Sequence, residues 1–66
     1  MARGYSSKVS VDCRVLDESP KAIYIEVQDG PRTRREWIPL SCVYEIHRAV
    51  GIVVMDEWIA AQKDLL

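Results

Sequence analysis

The chain has 66 residues, 48% of them hydrophobic, and a formal net charge of −1. That length makes one domain and excludes a deep pocket within a single subunit, while the near-neutral balance argues against a dedicated nucleic-acid binder but leaves room for a local basic patch. A core this small supplies on the order of 3–5 kcal/mol, so disulfides, a metal or self-association are the usual reinforcements.

Residues 1–8, Met1-Ala2-Arg3-Gly4-Tyr5-Ser6-Ser7-Lys8, are small, polar and basic. They are expected to form a flexible segment without the apolar run of a signal peptide. Residues 9–66 are expected to form a single ββββ(β)α domain. Val9, Val11, Cys13 and Val15 alternate with Ser10, Asp12 and Arg14, the period of a half-buried strand. Asp17-Glu18-Ser19-Pro20 supplies turn formers. Ala22 to Val27 is a second strand with Ile23, Ile25 and Val27 inward, closed by Gln28-Asp29-Gly30-Pro31 and its Asp-Gly turn signal.

The third strand runs from Thr33 to Leu40. Its phase is ambiguous, because Trp37 and Ile38 are adjacent and must face opposite ways. Trp37 is expected to pack inside. Pro39 cannot donate to a ladder and marks a strand end, an edge or a bulge. Cys42 to His47 alternates weakly, with Cys42, Tyr44 and Ile46 on one side; Gly51 then punctuates the chain before a short strand at Ile52-Val53-Val54. Asp56 is a candidate N-cap that puts Glu57 in the first turn of a helix of about ten residues. Its core stripe is expected to be Trp58, Ala61, Gln62 and Leu65, flanked by Ile59 and Leu66. The predicted fold class is α+β: a small twisted antiparallel sheet or open barrel of about 4–5 strands with one C-terminal helix.

Cys13 and Cys42 both lie on apolar-alternating runs, where a free thiol behaves as a small buried hydrophobe. They are expected to be buried thiols. No apolar stretch approaches the roughly 18 residues that would span a membrane, and a soluble cytoplasmic protein is expected.

Lys21-Ala22-Ile23-Tyr24-Ile25, Trp37-Ile38-Pro39-Leu40-Ser41 and Trp58-Ile59-Ala60, with Lys63 before Leu65, follow one another in an order that resembles small proteins of phages and other bacterial mobile elements. Members of that group read Lys-Ala-Ile-x-Val, Trp-Ile-Pro-x-Ser and Trp-Leu-Ala with a Lys-Gly-Leu tail. The resemblance covers residues 9–66, and Trp-Ile-Pro-x-Ser is its sharpest piece. This chain departs from the pattern at Asp64, where the group tends to have Gly as a helix stop, and in the basic turn of Arg32, Arg34 and Arg35. The resemblance implies an accessory factor acting in the host cytoplasm, such as an inhibitor of a host defence complex of the anti-CRISPR or another anti-defence kind.

Catalytic and metal constellations are weak. His47 is the only histidine and stands five residues from Cys42, which on one strand sets them on opposite faces. The paired Cys-x-x-Cys or His-x-x-x-His spacings of zinc sites are missing. Neither an enzyme nor a cofactor is expected. The acidic pairs Asp17-Glu18 and Asp56-Glu57 read as a turn and a helix cap, not as a nucleic-acid mimic.

Arg32, Arg34 and Arg35 beside Trp37 are the local candidate for nucleic-acid contact, through phosphate pairing and base stacking. Alternation splits that cluster: Thr33, Arg35 and Trp37 share one face, Arg34 and Glu36 the other. The expected function is therefore non-catalytic protein binding, with Arg32, Arg34, Arg35, Tyr24 and Trp37 as the partner-binding candidates and a homodimer formed through an exposed strand edge. A nucleic-acid-binding module using the arginine turn is the alternative. A small-molecule (nucleotide) sponge at an oligomer interface is the third reading.

Overall fold

The computed structural model describes residues 7–66 and holds six strands and one helix. The strands are β1 (Lys8–Asp12), β2 (Arg14–Glu18), β3 (Ala22–Asp29), β4 (Arg32–Pro39), β5 (Val43–His47) and β6 (Ile52–Asp56). The helix α1 spans Glu57–Gln62, and a 3-10 turn at Leu40–Cys42 links β4 to β5. The expected α+β class with antiparallel strands and a C-terminal helix is the one found, as two three-stranded sheets in the orders β1-β6-β5 and β2-β3-β4 and without barrel closure.

The alternation of Val9 to Val15 is real, but one long strand becomes two. The chain breaks at Cys13, whose N–H donates to the carbonyl of Gly51 at 2.9 Å while β1 pairs with β6 and β2 pairs with β3. Side-chain alternation passes through that corner unchanged, so the sequence pattern carries no mark of it. Gly51 has φ +72°, and a Cβ there would stand 3.3 Å from the Cys13 carbonyl oxygen, so the corner needs glycine on both counts.

Asp17 and Glu18 still belong to β2, so the turn begins at Ser19. The Ser19 hydroxyl accepts from the Ala22 N–H at 3.0 Å, holding the connection to β3. The Asp-Gly signal does mark a hairpin: Gly30-Pro31 joins Asp29 to its cross-strand partner Arg32, and Gly30 takes φ +63°.

The core joins both sheets. Val11, Val53 and Met55 come from the first, Ile23, Ile25 and Ile38 from the second, and Cys13, Cys42, Ile59 and Ala60 from the junctions and helix. Both cysteines are buried free thiols. Burial, with the neighbouring charge of Asp12, pushes the Cys13 thiol up to about 11.

Three expectations need correction. Trp37 lies outside and Ile38 inside: the fully buried Ile23 and Ile25 fix the inward phase of β3, and register then assigns Ile38 to that face and Trp37 to the other. Of the expected stripe, Trp58, Ala61 and Gln62 are exposed and only Leu65 packs against the core, while Ile59 and Ala60 are buried. The reason is the junction. β6 enters α1 without a linker, Asp56 is fully buried, and one helical turn on from Asp56 lie Ile59 and Ala60. Asp56 holds the N-cap position but makes no side-chain cap; its Oδ1 accepts from the Tyr44 hydroxyl at 2.5 Å.

The helix is six residues, not ten; it ends at Gln62, with Lys63 as C-cap and Asp64 just beyond. Leu65 N–H donates to the Ala60 carbonyl (2.7 Å) and Asp64 N–H to that of Ala61 (3.1 Å), a Schellman closure with Asp64 at φ +63° where glycine is usual. Of the segment expected to be flexible, residues 1–6 lie outside the described residues. Lys8 opens β1, and the Ser7 carbonyl accepts from the Glu57 N–H at 2.7 Å.

Candidate partner-binding face

The five candidate residues fall on two faces of the β2-β3-β4 sheet. On the outward face, register sets Arg14, Glu26 and Arg35 in one row and Asp17, Tyr24 and Trp37 in the next. Tyr24 and Trp37 are cross-strand partners with ring centroids 4.8 Å apart and planes tilted by 33°. Such pairing aligns the rings and leaves one side of the indole to solvent. Arg35 reaches across to Glu26, with Nη2 3.2 Å from Oε2. The two rows together carry two basic and two acidic side chains, so the face is locally balanced in charge.

Arg34 does not join them. It projects to the inner side of β4, opposite Val27, where its guanidinium donates to the Lys63 carbonyl at the end of α1. Around it stand Asp29 (3.5 Å), Glu36 (3.8 Å) and Asp64 (4.0 Å), while Lys63 Nζ lies 3.8 Å from Glu36. A cation at a helix C-terminus meets carbonyls with no intrahelical partner and the negative end of the dipole. Arg34 is therefore a brace between hairpin and helix. Arg32 is exposed at the hairpin tip opposite Asp29. The arginine cluster is thus divided three ways, and pairing with Asp29 and Glu36 offsets the charge of Arg34.

Sequence reasoning missed Arg14, which reaches the outward face because β2 pairs with β3 and sets it against Glu26. A long-range register of that kind leaves no local signal. An open cleft of about 320 Å³ continues along this face, lined by Arg14, Glu26, Gln28 and Thr33 and reaching Cys13 and Asp12 at the corner. With its thiol raised to about 11, Cys13 is protonated at neutral pH and is no nucleophile there. The exposed His47 has Nε2 2.6 Å from Glu45 Oε1, on the other sheet. Among the described residues no three His, Cys, Asp or Glu side chains gather as metal ligands, and no helix is long and apolar enough to cross a membrane.

Compared with protein-family models, with curated proteins and with solved structures, the chain matches none.

Proposed function

We infer that this domain is a non-catalytic binding module whose outward β2-β3-β4 face docks a protein partner. The observation that carries this reading is the Tyr24–Trp37 pair, stacked across the outward sheet face with Trp37 exposed and Tyr24 half-buried. A preordered aromatic pair loses little conformational entropy on binding, and Trp, Tyr and Arg are the residue types that most often anchor interfaces. Arg14, Glu26 and Arg35 form the row beside the pair and Asp17 ends the pair's own row, a pattern suited to a partner surface of mixed charge.

The nucleic-acid alternative has less support. Phosphate tracking needs a run of free cations along one path, whereas Arg34 is committed to the helix end and Arg35 to Glu26. The resemblance to phage and mobile-element proteins supports a host protein as the partner, and a defence complex is its most concrete form.

Affinity capture from bacterial lysate tests the reading with wild type, Trp37→Ala and Trp58→Ala. A single protein species should be held by wild type and Trp58→Ala, lost with Trp37→Ala, and retained after nuclease treatment at high salt. Nuclease-sensitive, salt-labile capture would sink the protein reading. Capture lost with Trp58→Ala instead would move the site to the helix.

A further inference from the structure

β4 is an outer strand of its sheet: among the described residues it pairs with β3 alone. The phase of that ladder is fixed at both ends. A two-residue connection closes on a hydrogen-bonded pair, here Asp29 and Arg32. At the far end the Leu40 N–H donates to the Lys21 carbonyl at 2.8 Å. The register between them has no bulge, so the pairs that exchange bonds are Val27/Arg34, Ile25/Glu36 and Ile23/Ile38. Thr33, Arg35 and Trp37 therefore turn both N–H and C=O away from β3, along the open edge. All three are exposed, and Pro39, which has no N–H, ends the row.

An open edge is a template for another strand, and the charge order along this one selects its occupant. We propose that two copies of this chain pair antiparallel through β4, with Arg35 opposite the partner's Arg35. That register joins Thr33 to the partner's Trp37 and Trp37 to the partner's Thr33, so every pair of outward residues has both donors. On the inner face it sets Arg34 against the partner's Glu36 and Glu36 against the partner's Arg34. Opposite charges directly across an antiparallel pair are favourable. The like-charged Arg35 residues meet at the axis, each already balanced by its own Glu26 at 3.2 Å.

Neighbouring registers fail on the same grounds. Centring on Arg34 or Glu36 sets that charge against its own copy and an outward residue against Pro31 or Pro39. Centring on Thr33 opposes Arg32 to Arg34, and centring on Trp37 puts Arg35 against Pro39, which cannot donate. The product is a continuous six-stranded sheet with a Tyr24–Trp37 shelf from each copy on one face, which would let the module engage a repetitive partner twice. The interface stands whether or not that face binds a partner. Edge pairing alone covers less surface than a permanent dimer does, so association is expected only between about 10 µM and 1 mM.

The test combines sedimentation velocity with amide exchange by nuclear magnetic resonance across that concentration range. As dimer forms, the amides of Thr33, Arg35 and Trp37 should slow at least about tenfold, while those of Arg34 and Glu36 are already slow in the monomer. Arg35→Pro removes the central outward donor without touching the β3 ladder and should give a folded monomer at every concentration. A wild type monomeric at 1 mM, or a dimer whose three outward amides stay fast, overturns the proposal. That exchange readout needs no variant and decides the matter even if Arg35→Pro fails to fold.

Discussion

Glu36-Trp37-Ile38 and Glu57-Trp58-Ile59 are the same tripeptide in a strand and in a helix, and the two settle into the same partition. Ile38 and Ile59 are 0% and 3% exposed, while Trp37 and Trp58 are both 45% exposed. In β4 the split follows from alternation, which sends neighbours to opposite faces; in α1 it follows from the buried Asp56 that sets the rotation of the helix. The difference lies in what surrounds each indole. Trp37 stacks on Tyr24 across a ladder, beside the charged row of Arg14, Glu26 and Arg35, whereas Trp58 rides the outer side of a six-residue helix. The binding role proposed for Trp37 rests on that cross-strand neighbour, since exposure is the same at both tryptophans.

The strongest way to break the parallel is at its buried members. Ile38→Ala and Ile59→Ala should each cost about 2–5 kcal/mol by urea unfolding, and Ile38→Ala the more, since it opens the centre of the core while Ile59 lies at its helical margin. Equal costs would mean that the helix is as integral as the sheet. Arg34→Ala should cost about 1–2 kcal/mol by removing a charged donor from the end of α1, with partner capture unchanged. Trp37→Ala should lower stability by roughly 1 kcal/mol, the scale of an aromatic pair, and abolish capture. Trp58→Ala should leave capture intact, and loss of capture there would erase the distinction between the two tryptophans. The smallest effect has the opposite sign. Asp64→Gly should raise stability by about 0.5–1 kcal/mol in thermal melts, because it relieves a left-handed residue at the helix stop.

Much of the fold was legible where periodicity was clean. Val9 to Val15 and Ile23 to Val27 disclosed their inward faces, and Gly30 disclosed its hairpin. The phase of Trp37-Ile38 was not legible, because two adjacent apolar residues fit the core equally well until Ile23 and Ile25 define the inward side across the ladder. The stripe on α1 was misread for a related reason. Trp58 and Ala61 share helical spacing with Leu65, which does pack against the core, yet the buried carboxylate before them turns Ile59 and Ala60 inward instead. Of the candidate site, the separation of Arg34 from Arg35 followed from alternation. The bond from Arg34 to the Lys63 carbonyl and the arrival of Arg14 beside Glu26 depend on contacts between distant segments.

The corner at Cys13 and Gly51 bears on how this chain acquires its shape as it is made. β2, β3 and β4 follow one another directly, so the second sheet needs only neighbouring hairpins and involves short loop closures. The first sheet is different in kind. β1 is the earliest strand described and waits for β6, with Lys8 opposite Asp56, before it has any partner. Synthesis therefore delivers a stretch in which one sheet is complete and the other is a single unpaired ribbon. Until β6 arrives, β1 presents unpaired edges of the kind that favour aggregation.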